Sequence, residues 1–114
     1  MQLMTKEIEE KAKKFPFDSQ DGKGLDAEIL VKFFDPTGAG TWYALEYDPK
    51  NQVFYGLVAL HELEYGYFSL EELERVKGSF GLGIERDRHF INKKIRDIRA
   101  DHIPSHLADK QLTA

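Results

Sequence analysis

Apolar residues along the chain alternate between helical spacing and tight runs broken by Gly, Pro and Asp, a pattern that predicts short helices flanking a sheet. Met4, Ile8, Ala12 and Phe15 recur near helical spacing behind Thr5, which can cap the helix, and Pro16 ends it. The Asp- and Gly-rich FDSQDGKGLD that follows predicts a loop. EILVKFF (28–34) and TWYALEY (41–47) are β-branched and aromatic and predict two strands separated by DPTGAG. Asp48-Pro49-Lys50-Asn51 has the residues of a type I turn, so the second strand should form a hairpin with a third, VFYGLVALH (53–61). EYGYF (64–68) predicts a fourth strand, and Ser69 then opens S-L-E-E, a capping box with Glu72. Phe68 and Leu73 can staple that helix start, and Gly78 can stop the helix. After the turn GSFGLG, IERDRHF suits an added edge strand. Asn92 then caps a last helix with Ile91, Ile95, Ile98 and His102 on one stripe, ending near Pro104. The predicted class is α+β: an antiparallel meander of four or five strands packed with two or three short helices.

A chain of 114 residues and 13.2 kDa suits a single domain, 1–114, with 104–114 as a frayed tail. No apolar run approaches the roughly 20 residues that cross a bilayer, and MQLMTKEIEEKAKK lacks a secretory apolar stretch, so a cytoplasmic protein without a membrane partner is expected. The absence of cysteine excludes disulfides and thiolate metal sites. The net charge of −4 is uneven: residues 1–84 carry nine Lys or Arg against fifteen Asp or Glu, and residues 85–102 carry six against four. That small basic excess, from Arg86, Arg88, Lys93, Lys94, Arg96 and Arg99, suits a solvated helix better than a nucleic-acid footprint, and tight duplex binding is not expected.

Several motifs fail on their chemistry. HELEY has Tyr65 where a zinc protease helix needs its second His, and its context is strand-like. FDSQDGKGLDAE places Gly22 and Glu28 at calcium-loop spacing, but Phe17 would occupy the first ligand position and a strand follows. GKG lacks the frame of a phosphate loop, and GLGIER lacks the third Gly of a dinucleotide fingerprint. Trp42, Tyr43, Tyr47, Phe54, Tyr55, Tyr65, Tyr67 and Phe68 could form an RNA-stacking sheet. With Glu28, Glu46, Glu62 and Glu64 flanking them, core packing is the better reading.

The ordered blocks TKEIEEKAKK, SQDGKGLDAEILVKFF, TWYALEYDP, FYGLVALHELEYGYFSLEELERVKG and GLGIERDRHF, across about residues 5–90, resemble the bacterial family called domain of unknown function 2958. The resemblance implies an association with plasmids and other mobile elements and names no catalytic residue. The leading expectation is therefore a small non-catalytic binding module with a protein partner, without cofactor or metal. Its candidate binding residues are Glu46, Tyr47, Asp48 and Arg86. The alternatives are a carboxylate hydrolase using Glu46 and Asp48, or a weak nucleic-acid binder using the 86–99 segment. The hairpin places Glu46 opposite residue 53 or 54 and His61 at the far end of the third strand, so the two should not share a site. It also places the loop 19–26 near Glu46.

If Ser69 caps its helix, Ser69→Ala should cost about 0.5–2 kcal/mol, read as a lowered urea midpoint. An unchanged midpoint would remove the assignment.

Overall fold

Thr5 and Ser69 start their helices by the chemistry their side chains allow. The computed structural model describes residues 2–38, 40–76 and 82–102. Thr5 Oγ1 accepts the Ile8 amide at 3.2 Å and opens helix α1, Lys6–Ala12. Ser69 Oγ accepts the Glu72 amide at 3.0 Å and opens α2, Leu70–Arg75. Phe68 and Leu73 are buried in one cluster, as a staple requires. The first amide of α2, that of Leu70, donates to Gln52 O at 2.9 Å, tying the helix start to the preceding hairpin.

The described strands are β1 (Val31–Phe34), β2 (Thr41–Asp48), β3 (Val53–Ala59), β4 (Leu63–Ser69) and β5 (Glu85–Arg86). They form an antiparallel sheet in the order β4-β3-β2-β1-β5. The meander and the added edge strand are thus present, and the α+β class holds.

Four local expectations change. The first strand begins at Val31, because residues 27–29 pair instead with 93–95: Ile29 N donates to Lys93 O at 2.9 Å and Ile95 N to Ala27 O at 3.1 Å. That pairing delays helix α3 to Ile95–His102, so Asn92, left-handed at φ 55°, is not its cap. Asp97 instead accepts the Lys94 amide at 2.8 Å in the first turn of α3. The third strand ends at Ala59, leaving His61 exposed in the turn. Finally, Glu46 faces Tyr55 rather than residue 53 or 54. Gln52 at φ 54° adds a left-handed residue after the type I turn, so the ladder closes at Asp48↔Val53. Gly78, the GSFGLG turn apart from its last residues, Pro104 and the tail 104–114 lie outside the described residues, as do the side chains of Arg99 and His102.

Both sheet faces are covered. Val31, Phe33, Trp42, Ala44, Tyr47, Phe54 and Phe68 pack with Ala12 of α1 and with Leu70 and Leu73 of α2. On the opposite face Tyr43, Leu45, Leu57, Ala59 and Leu63 pack with Ile95 and Ile98 of α3. Burying each large side chain contributes roughly 1.5–3 kcal/mol, so the central strand β2, buried from Trp42 to Tyr47, anchors both layers.

β2 carries a bulge between Ala44 and Glu46. Strand alternation sends Trp42 and Ala44 to the α1 face and Tyr43 and Leu45 to the α3 face. Without the extra residue, Glu46 would point into the apolar α1 layer and Tyr47 out of it. The bulge returns Tyr47 to that layer, where its ring lies 4.6 Å from Phe54, and sends Glu46 to the other face. Beside the bulge, Gly56 pairs with Ala44, and a Cβ built on Gly56 would lie 1.9 Å from Tyr43 O. Its partner Gly66 has open space.

Gly56→Ala should therefore destabilise by about 3 kcal/mol or more, since backbone rather than a flexible side chain must move. Gly66→Ala should be neutral or stabilising by up to about 1 kcal/mol. Equal denaturation midpoints for the two variants would contradict the close approach at the bulge.

Candidate binding cleft

The loop after α1 and the bulge on β2 build the site together. β1 pairs with β2 only as far as Ala44, so the remaining β2 edge needs other partners. Phe15 O accepts the Tyr47 amide at 3.0 Å. Gln20 does the rest: its Nε2 donates to Leu45 O and to Glu28 O, each at 2.7 Å, and its Oε1 accepts the Glu28 amide at 2.8 Å. One side chain thereby takes the place of a missing strand. Glu46 closes the junction from the strand side, accepting the Asp18 amide at 3.0 Å and the Gln20 amide at 2.9 Å. Asp18 is held at φ 73° by this contact. Gln20 and Glu46 are the buried polar side chains among the described residues, and they form one network.

Beyond the network no described helix covers the α3 face. Alternation puts Tyr55, Tyr65 and Tyr67 on the face of Leu57, past the reach of α3. Tyr65 is 50% and Tyr67 65% exposed. Tyr55 stacks on Tyr65 with centroids 6.0 Å apart and meets Tyr67 at 4.9 Å, and Phe17 from the loop closes edge-on to Tyr67 at 5.5 Å. Between this aromatic row and the loop lies a cleft of about 320 Å³, lined by Gln20, Asp21, Gly22, Leu45, Glu46, Tyr55 and Tyr65 among others. Among the described residues its lining contains no lysine or arginine. Burial holds the Tyr55 phenol above its usual range, and the Tyr65 and Tyr67 phenols and the Glu46 and Asp21 carboxylates push it further the same way. Burial also raises the Tyr65 phenol. The cleft therefore presents neutral aromatic faces beside carboxylates.

The four candidate residues read from the sequence do not converge. Glu46 lines this cleft, whereas Tyr47 lines a separate one of about 350 Å³ on the opposite face, with Glu9, Pro16 and Gln52. Burial, then Glu9 and Asp48, raises the Tyr47 phenol. Asp48 serves the hairpin, accepting the Lys50 amide at 3.0 Å and Asn51 Nδ2 at 2.7 Å. The Asn51 carboxamide foremost holds the Asp48 carboxyl below its usual range. Arg86 lines a third cleft, of about 460 Å³, beside α1, and its guanidinium donates to Gln2 O and, at 3.3 Å, to Leu3 O. Glu46 and Asp48 thus share no hydrogen-bond partner. As the hairpin argument requires, His61 lies beyond the far end of β3, which runs four residues past Tyr55, the partner of Glu46, about 13 Å along the strand to Ala59. The loop 19–26 does reach Glu46.

Core packing accounts for Trp42, Tyr43, Tyr47, Phe54 and Phe68, which are buried, but not for Tyr55, Tyr65 and Tyr67. The readable signal was Tyr-Gly-Tyr at period two in a strand whose apolar residues, Leu63 and Phe68, sit at its two ends. Gln20 carried no signal in its spacing. Among the described residues no three His, Asp or Glu side chains gather as metal ligands, and no helix is long and apolar enough to cross a membrane. A family model described as "Protein of unknown function (DUF2958)" matches residues 3–99. No curated protein and no solved structure matches the chain.

Gln20→Ala should cost roughly 2–4 kcal/mol, because four side-chain hydrogen bonds go, the longest from Lys23 Nζ at 3.5 Å, and the buried Leu45 carbonyl is left without its donor. Gln20→Glu should cost at least as much, since a carboxylate would face two carbonyl oxygens. Urea midpoints near that of the wild type would show that the loop is not held this way.

Proposed function

The chain belongs to the DUF2958 family, and because that membership brings no activity with it, we propose from the geometry that the protein is a small non-catalytic interaction module whose tyrosine row docks a partner protein. It acts in the bacterial cytoplasm as an accessory of mobile elements, the setting implied by its family resemblance. The observation that carries the reading is the exposure of Tyr65 and Tyr67 on one face of β4, one of the two edge strands of the described sheet. Tyrosine supplies a large rigid contact area with a polar tip and is enriched at the centres of protein interfaces. Asp48 is engaged by the turn and Glu46 by two loop amides, an arrangement that favours fixed recognition over proton transfer between paired carboxylates.

Affinity capture from the host, comparing the wild type with Tyr65→Ser/Tyr67→Ser, tests this. Both substitutions are on exposed side chains, so the variant should keep its fold by circular dichroism while losing its specifically retained protein. A folded variant that captures the same proteins as the wild type would end the proposal.

A further inference from the structure

We infer that the cleft between Glu46 and the tyrosine row takes an arginine side chain, presented on an extended basic segment of the partner protein. The inference rests on the docking reading above and names the chemistry of its central contact. Three independent features converge on it. The Glu46 carboxylate, 3% exposed, has two amide donors from the loop and still lines the cleft, in a lining that contains no lysine or arginine among the described residues. The nearby Lys23 ammonium reaches Gln20 Oε1 at 3.5 Å and the Phe15 ring, and no ion pair among the described residues engages Glu46, so its carboxylate favours an incoming positive charge. Tyr55 and Tyr65, whose rings stack within 10° of parallel, both line the cleft, and a guanidinium is the planar cation that packs on an aromatic face while its edge donates to a carboxylate. Asp21 at the rim adds a second negative charge on the entry side, close enough to act on the Tyr55 phenol.

Size and surroundings select the source. A volume of about 320 Å³ is at the low end of the roughly 300–1,000 Å³ of small-ligand sites, enough for one side chain. The aromatic row does not stop at the cleft: it continues outward through Tyr67 to Phe17, a surface that a free small cation would leave uncovered. An extended segment covers that row while its arginine enters the cleft. The net charge of −4 attracts such a segment from a distance.

The test uses the full chain labelled with ¹⁵N and three probes: a capped Gly-Tyr-Arg-Tyr-Gly peptide, the same peptide with citrulline for arginine, and methylguanidinium. The arginine peptide should shift the amide resonances of Gln20, Asp21, Gly22 and Tyr55 saturably, and the citrulline peptide should bind roughly tenfold more weakly or not at all, since it keeps the shape and loses the charge. Asp21→Asn, which alters no buried contact, should weaken the arginine peptide about threefold, in the range of an exposed charge pair. Glu46→Gln should abolish the shifts in a variant still folded by its remaining resonances. Equal binding of arginine and citrulline peptides would overturn the cationic contact while leaving the tyrosine docking surface standing. Equal affinity for methylguanidinium and the peptide would reassign the cleft to a free organic cation. Absence of shifts in the cleft with every probe would overturn the inference, and the capture experiment would then judge the docking reading separately.

Discussion

One acidic residue in the most buried strand governs this structure. β2 supplies both hydrophobic layers, so every position from Trp42 to Tyr47 is covered, and Glu46 falls in that run. A carboxylate facing an apolar layer costs several kcal/mol unless its oxygens find donors. The bulge at Leu45 and the loop after α1 answer that cost together: the bulge turns Glu46 to the less covered face, and the Asp18 and Gln20 amides meet it there. The requirement then propagates. The turned strand brings β3 so close that position 56 must lack a side chain, and the unpaired β2 edge must be closed by Phe15 and Gln20.

The location of the cleft follows from the same constraint. α3 is anchored at Ala27 and Glu28 by backbone pairing and covers Tyr43, Leu45 and Leu57. It does not extend over the Glu46 end of the sheet, where Tyr55, Tyr65 and Tyr67 are left half-buried or exposed. A side chain there must tolerate both an aromatic neighbour and water, which a phenol does and a phenylalanine does less well. Local geometry at residue 45 therefore connects directly to the surface chemistry of β4, two strands away.

Much of the architecture could be read from the chain because its signals are local. Thr5 and Ser69 announce helix starts by side chains that reach their own third amide, and Asp48-Pro49 announces the hairpin by residues that fix its turn. The meander order follows from short connections between consecutive strands. What escaped depends on partners distant in sequence. A bulge adds one residue to a strand and shows in the sequence only as a break in alternation, and the break here is a single glutamate among aromatics. Gln20 is legible only once Leu45, Glu28 and the end of β1 are in place. Asn92 has the residue type of a cap, but pairing of 93–95 with 27–29 overrides it. The candidate site suffered for the same reason: Glu46, Tyr47 and Asp48 are adjacent in sequence, and adjacency in a bulged strand end sends three neighbours to a cleft, a core and a turn.

That division also bears on what Glu46 can do. A general base needs a free lone pair within hydrogen-bond reach of a group that gives up its proton. Glu46 is tied to two backbone amides, which cannot exchange roles with it, and the neighbouring carboxyl, Asp48, is committed to Lys50 and Asn51. Fixed amides position a carboxylate without consuming all of its acceptor capacity, since a carboxylate offers about four lone-pair sites. Glu46 lines the cleft in a set orientation, beside a pair of stacked phenols that are equally fixed by the β3–β4 ladder. Rigid, pre-placed groups lower the ordering cost of association, and that advantage accrues to recognition whether or not any bond is later made or broken. The acidic residue that forced the bulge is therefore the same one that lines the cleft, so under the proposed docking a change at position 46 alters both stability and binding.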